Sequence, residues 1–367
     1  MTASDTFRCW AEIDGNALRR NAHAVRDRIG SAELLAVVKA NGYGHGMVGV
    51  AQALANDVQL FGVANLEEAT LLRTALPHPI IILGPALPQE RAAIAHQQFI
   101  PTISALEEAQ NFDRLADADT VSVNFKADTG MGRMGAPEAE AVDLFRKVAA
   151  LAHVRVHSVS THMPVSDTDE AYTREQLTRF RQLVGELRTA VPGDYKAHVL
   201  QSAGTLAFAD PVFDIVRAGI MLYGISPLAE YQKFLEPVLT WKTRIGLVRE
   251  LPKGSSISYG RTFVTPKQMR VATITAGYAD GYPRHLSNRD AAVLVRGRRC
   301  ALLGRVTMDL MVIDVSDLEN VECGEEVVLM GKQGDSEISC AELADRADTI
   351  TWEIITRIGS RVRRVHV

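Results

Sequence analysis

From residue 9 to about 225, short aliphatic and β-branched runs alternate with longer stretches of helical spacing, which is the pattern of repeated βα units around a parallel sheet. The runs predict strands at Cys9–Asp14, Leu34–Lys39, Val58–Val63, Ile80–Leu83, Phe99–Ile103, Val121–Lys126, Val154–Thr161, Ala197–Gln201 and Phe213–Arg217. Between them, Leu18, Ala22, Val25 and Ile29 fall on one helical face that ends at Gly30, where a left-handed cap is sterically free. Ala141, Leu144, Phe145 and Val148 predict a second amphipathic helix, and Leu177, Phe180, Leu183, Val184 and Leu187 a third. Eight of the nine strands suffice to close a (β/α)8 barrel, with Cys9–Asp14 pairing elsewhere; periodicity alone leaves an open doubly wound sheet as the alternative.

After about Leu235 the pattern changes. The β-rich runs Leu239–Leu251, Met269–Ala276, Ala292–Leu303 and Val306–Val315 are separated by turns instead of helices. Ile338–Ile358 regains helical spacing and Arg361–Val367 reads as a returning strand. The expected organisation is therefore a barrel over 12–235 and a mostly β domain built from 1–11 and 236–367.

Composition narrows the function. The 367 residues are 47% hydrophobic and 23% charged, and 40 basic against 44 acidic side chains give a formal charge of −4. No basic block exceeds Arg361–Arg364, so no nucleic-acid partner is expected. Cys9, Cys300, Cys323 and Cys340 lack zinc-ligand spacing and read as thiols in a reducing compartment; no metal site is expected. Met1–Trp10 has no apolar leader core, and no run approaches the ~20 apolar residues of a membrane span, so the expectation is a cytoplasmic protein without membrane contact.

The segment Ala36-Val37-Val38-Lys39-Ala40-Asn41-Gly42-Tyr43-Gly44-His45-Gly46 puts a lysine at the end of an apolar strand, followed by three glycines. At the C-terminal mouth of a barrel, desolvation lowers a lysine pKa and favours the neutral amine that attacks carbonyls. A lysine snorkelling from a strand end fits the residue alone as well.

This segment resembles the cofactor-lysine signature of alanine racemases, differing only at Gly42, where the family pattern has alanine. Three further stretches follow in the family's order: Phe125-Lys126-Ala127-Asp128-Thr129-Gly130-Met131-Gly132-Arg133-Met134-Gly135, then Ser258-Tyr259-Gly260-Arg261-Thr262-Phe263, then Gly277-Tyr278-Ala279-Asp280-Gly281-Tyr282-Pro283-Arg284. The resemblance implies a fold-type III enzyme with an N-terminal (β/α)8 barrel and a C-terminal β domain. It implies pyridoxal 5'-phosphate as cofactor, a homodimer with shared active sites, and interconversion of L- and D-alanine, the route to D-alanine as a peptidoglycan precursor.

Carried over position by position, Lys39 would hold the cofactor and act as one base, and Tyr259 of the partner subunit as the other. Tyr43, Ser202, Gly219, Ile220 and Tyr278 would bind the phosphate. Arg217 would face the pyridine nitrogen; a guanidinium, with a pKa of roughly 12.5 or above, gives up no proton readily, so the ring stays neutral and the proton returns to Cα instead of leading to transamination. His162 would link the tyrosine to Arg217, and Arg133 would reach the cofactor's phenolic oxygen and the substrate carboxylate. Lys126 matches a lysine that many relatives carbamylate to brace that arginine; a plain lysine packed on Asp128 is the alternative. The Met308 amide would meet the substrate carboxylate, with Asp309 orienting its loop.

Departures from the family pattern bear on the substrate pocket. Trp352 stands where many relatives have a gate tyrosine that, with Tyr278, narrows the entry; Thr307 replaces a frequent cysteine, and Gln201 an asparagine. Alanine is the first expectation, with serine or a wider range of small amino acids as the alternative. A decarboxylase on the same fold is opposed by the Tyr259 motif and Arg217, and a non-enzymatic pyridoxal-phosphate homeostasis protein by the domain that follows Leu235.

Overall fold

The computed structural model describes residues 6–116, 120–208 and 213–367. The chain forms two compact units, one of Leu18–Gly42 and Met47–Glu236, the other of Met1–Ala17, Tyr43–Gly46 and Pro237–Val367. The turn Tyr43–Gly46 thus belongs with the second unit although it lies inside the span expected for the barrel, and residues 1–5 of the expected 1–11 segment lie outside the described residues.

In chain order the main strands are β1 (Cys9–Ile13), β2 (Glu33–Val37), β3 (Leu60–Val63), β4 (Ile80–Pro85), β5 (Ile100–Ile103), β6 (Val121–Asp128), β7 (Val154–Ser160), β8 (Lys196–His198) and β9 (Ile215–Ala218). Strands β2 to β9 form one parallel sheet in the order β9-β2-β3-β4-β5-β6-β7-β8. The Asp214 amide donates to Ala197 O at 2.9 Å and the Arg217 amide to Leu200 O at 3.0 Å, which stitches β9 to the chain at β8 and nearly closes the barrel. Every residue of β3, β5 and β9 is buried, so these strands show no in–out alternation; only Thr102 on β5 and Arg217 on β9 interrupt their apolar sequence. The helices turn the expected faces inward: Leu18, Ala22, Val25 and Ile29 are buried, as are Leu177, Phe180, Leu183, Val184 and Leu187, while Leu144 alone of its set is only half-buried.

In the second unit the main strands are β10 (Leu239–Leu251), β11 (Met269–Ile274), β12 (Ala292–Val295), β13 (Arg298–Leu303), β14 (Met311–Asp314), β15 (Glu326–Gln333), β16 (Ser336–Ile338) and β17 (Arg363–His366), beside a short separate pair, Ser256–Ile257 with Phe263–Val264. They form a nine-stranded sheet in the order β16-β15-β12-β13-β14-β11-β10-β1-β17, in which β1 runs antiparallel to β10 and parallel to β17.

Several elements differ from expectation. Strand β2 ends at Val37, so Lys39 opens a turn instead of closing the strand. The Ala292–Leu303 run is a hairpin, broken at Arg296 and Gly297, whose φ values of 52° and 75° give the twist a two-residue hairpin turn needs. Only Met311–Asp314 of the Val306–Val315 run is strand, and Val306–Leu310 is loop. Ile338 ends a strand, and the helical stretch after it is two short helices, Cys340–Ala347 and Thr351–Thr356, divided by the left-handed cap Asp348. Strand β15 was absent from the expected set.

Candidate active site

Lys39 is followed by Ala40, Asn41, Gly42 and Tyr43 at φ of 52°, 53°, 63° and 51°, four successive left-handed residues closed by a 2.7 Å bond from the Gly42 amide to Val38 O. L-residues resist this conformation by roughly 1–2 kcal/mol each, and such strain gathers at functional positions. Glycine at 42 eases it: a Cβ there would stand 3.1 Å from Met47 Cα. Glu68 anchors the turn by accepting from the amides of Ala40 at 2.7 Å and Ala64 at 2.8 Å.

The other expected barrel residues follow or occupy the C-terminal ends of β6 to β9, the face where barrel sites are built. Lys126 lies on β6, Arg133 after it, His162 after β7, Ser202 after β8, Arg217 on β9, and Gly219 and Ile220 after β9. Their charges act on one another. Burial first, then the Arg133 guanidinium, hold the Lys39 ammonium below the usual lysine range; Glu68 opposes this and Arg217 adds to it. Burial, Arg217 and Arg133 push Lys126 down to about 8. Asp128 accepts from the amides of Gly130 and Met131, both at 2.9 Å, and among the described residues no ion pair joins it to Lys126. Burial, with Arg217 and Lys126 next, pushes His162 down to about 2, so its ring is neutral.

Arg217, only 5% exposed, organises the cluster. Its Nη1 donates to His198 Nδ1 at 2.6 Å and His198 O at 3.0 Å, and the two protons of its Nη2 are shared among Thr161 O at 2.8 Å, Val199 O at 2.9 Å and His162 Nδ1 at 3.3 Å. Burial lowers it to about 10, which leaves it a cation at neutral pH. Since a guanidinium only donates, both imidazoles accept through Nδ1 and carry their protons on Nε2. All five bonds use the terminal nitrogens, so Nε is left for a ligand. Nearby, the Ser202 hydroxyl accepts from the amides of Gly219 at 3.0 Å and Met221 at 3.4 Å, which leaves its own proton to give to an anion. A neutral-prone amine, an uncommitted N–H on a fixed cation and a hydroxyl with a proton to give suit an aldehyde, a pyridine nitrogen and a phosphate, so the residues present fit pyridoxal phosphate.

The second unit carries the remaining expected residues. Tyr43 is buried, which pushes its phenol up to about 12. Tyr259 is 72% exposed on a turn between Ser258 (φ 63°) and Gly260 (φ 73°). Tyr278 and Met308 sit on two loops joined directly: the Tyr278 amide donates to Thr307 O and the Ala279 amide to Met308 O, each at 3.0 Å. Arg361 locks the pair, donating to Asp280 Oδ1 at 2.7 Å, Asp280 Oδ2 at 3.0 Å and Asp309 Oδ1 at 2.7 Å. Met308 is 54% exposed, and its amide has no acceptor among the described residues. Trp352 is half-buried on the Thr351–Thr356 helix.

Sequence reasoning missed Glu68, His198 and Arg361. Glu68 had a signal, since Asn65 and Glu68 stand at the spacing of a capping box and the Asn65 side chain does accept from the Glu68 amide at 3.0 Å. His198 and Arg361 had none. Three of the four thiols are buried and pushed up by burial, Cys9 and Cys340 to about 12 and Cys300 to about 11. Among the described residues no side-chain cluster could hold a metal and no helix is long and apolar enough to cross a membrane.

Two family models match the chain: alanine racemase, N-terminal domain, over residues 13–227, and alanine racemase, C-terminal domain, over residues 238–366. The alanine racemase of Halothermothrix orenii is 43% identical over 366 residues, spanning 97% of this chain and 96% of the relative. The solved alanine racemase of Streptomyces coelicolor A3(2) superposes with a TM-score of 0.92 at 34% identity, covering 100% of this chain and 99% of that one. That of Bartonella henselae, a crystal structure with covalently bound pyridoxal phosphate, gives a TM-score of 0.89 at 27% identity, covering 98% and 100%.

Proposed function

The chain belongs to the alanine racemase family, whose members are pyridoxal-phosphate-dependent isomerases, and we propose that it interconverts L- and D-alanine through Lys39 and Tyr259 of the partner subunit, acting on opposite faces of Cα. The observation that carries this reading is Arg217: a buried cation held by five bonds through its terminal nitrogens, with Nε uncommitted and Lys39, Lys126 and His162 all depressed around it.

Bound at this site, pyridoxal phosphate supplies an electron-withdrawing ring that takes up the electron pair left at Cα when its proton departs. Lys39, depressed by burial and the neighbouring guanidiniums, is suited to anchor the cofactor as an amine and to carry the α-proton on one face. On the other face a phenol with a pKa of about 10 needs help to act as a base. His162 supplies it, because its Nδ1 is taken by Arg217 and its Nε2–H is the donor that stabilises a phenolate. Arg217, kept a cation, gives no proton to the ring, which favours return of the proton to Cα.

Arg133 holds the substrate carboxylate with a planar donor fork, and the Met308 amide adds a neutral donor. The Ser202 hydroxyl, the amides of Gly219 and Ile220 and the phenols of Tyr43 and Tyr278 receive the phosphate. Lys126, half in its neutral form near pH 8, takes up carbon dioxide as a carbamate that braces Arg133. Tyr278 and Trp352 border the substrate entry. The exposed Tyr259, Met308 and Leu310 support a homodimer in which each copy completes the other's site. The setting is the cytoplasm.

The test is stereochemical. Incubated with L-alanine in heavy water, the holoenzyme is expected to yield D-alanine, with deuterium entering Cα, and borohydride reduction is expected to leave the cofactor on the peptide carrying Lys39. Deuterium exchange without inversion, or a label on another lysine, contradicts the proposal; a panel of small amino acids including L-serine fixes the range.

A further inference from the structure

Three barrel strands place polar side chains at one level. Thr102 on β5 pairs in register with Asn124 on β6, and Asn124 with Ser158 on β7. All three are buried, as is His198 on β8, at 2%, 1%, 0% and 0% exposure. Apolar strands hold such groups only where each polar atom finds a partner, and here the partners form one directed chain. The Thr102 hydroxyl gives its single proton to Ile82 O at 2.6 Å, so its oxygen can only accept from Asn124, whose Nδ2 donates to it at 3.0 Å. That bond orients the amide. Asn124 Oδ1 therefore faces the other way, accepting from the Ser158 hydroxyl at 3.0 Å and from His198 Nε2 at 3.1 Å. His198 Nδ1 is left as an acceptor, which is what the 2.6 Å bond from Arg217 requires.

We infer that Asn124, oriented by Thr102, is a positioning residue for the reaction: it keeps the His198 proton on Nε2 and so makes the imidazole a fixed acceptor that aims the Arg217 guanidinium. The polarity is imposed from both ends, by a threonine whose only proton is spent on a backbone carbonyl and by an arginine that can only donate. Were His198 to carry a proton on Nδ1, N–H would face N–H at 2.6 Å, and Arg217 would lose that bond and shift. The inference rests on the role proposed for Arg217, but the hydrogen-bond polarity can be tested without it.

Two variants separate the cases. Asn124→Asp keeps the shape but puts a carboxylate against His198 Nε2, which favours an imidazolium; Thr102→Val removes the anchor that orients Asn124, and Thr102→Ser restores it. Nitrogen-15 histidine NMR of the protein without cofactor is expected to show His198 as a single Nε2–H tautomer in the parent and in Thr102→Ser, doubly protonated in Asn124→Asp, and averaged between tautomers in Thr102→Val. Holoenzyme kcat is expected to fall by about tenfold or more in Asn124→Asp and Thr102→Val, the rate equivalent of one hydrogen bond to a charged group, with alanine KM changed far less. If Asn124→Asp does not fold, Thr102→Val with its serine rescue decides. An unchanged His198 tautomer and an unchanged kcat in the variants that fold overturn the inference, as does a parent His198 protonated on Nδ1. A parent that shows the Nε2–H form but racemises nothing contradicts the proposed function and leaves the polarity established.

Discussion

Lys126 offers a prediction whose size follows from the geometry. Burial, reinforced by Arg217 and Arg133, lowers its ammonium from the ordinary 10.5 to about 8. At pH 8 about half of such amines are neutral, against roughly 0.3% of ordinary lysines, so the form that attacks carbon dioxide is enriched about 150-fold. The nitrogen bonds to the carbon of CO2 and releases a proton to solvent, and the resulting anion faces the two guanidiniums that had disfavoured the cation. Because the folded value lies below the unfolded one, the buried charge opposes folding fully below about pH 8, and the opposition fades as pH rises toward 10.5. The shift corresponds to about 2–3 kcal/mol once partial solvent access is allowed for. Carbamylation removes that penalty at neutral pH. Protein equilibrated with carbon-13 bicarbonate is expected to show one slowly exchanging carbamate signal that Lys126→Met abolishes. The melting temperature near pH 7.5 should be higher in bicarbonate than in degassed buffer, with no difference in the variant. A parent without the signal, or a variant that retains it, would refute the reasoning.

Two further predictions concern the loops of the second unit. Gly277→Ala would put a Cβ 2.3 Å from Thr307 O and 2.4 Å from Met308 O, both backbone atoms, so the loops must part; steady-state kinetics should show alanine KM raised severalfold, and an unchanged KM would exclude the Met308 amide from substrate binding. Arg361→Met strips the fork from Asp280, whose side chain is 5% exposed while that of Arg361 is 48% exposed, and should lower stability by about 1–2 kcal/mol in urea unfolding; a loss within error would mean the bridge holds nothing together.

How much of this was legible in the sequence depends on range. The apolar and β-branched runs located all eight barrel strands, most plainly where a strand is buried along its whole length, and the helices were legible from spacing. Lys39 and the motifs after it stand out because a lysine and three glycines directly after an apolar run are unusual. The left-handed turn was not legible, since nothing about Ala40 or Asn41 requests positive φ, and Arg296 hid the hairpin in the same way. Asn124 and His198 look like accidents in apolar strands until the register sets Thr102 beside Asn124 and Asn124 beside Ser158. Arg361 reaches acids 52 and 81 residues away, a separation that carries no local pattern.

The central claim, two bases drawn from two copies of the chain, is tested most directly by mixing inactive Lys39→Ala and Tyr259→Phe proteins. Each mixed dimer would contain one site with both native groups, so random exchange of equal amounts should restore about a quarter of parental racemisation. Mixed dimers confirmed by mass yet devoid of activity would contradict the account.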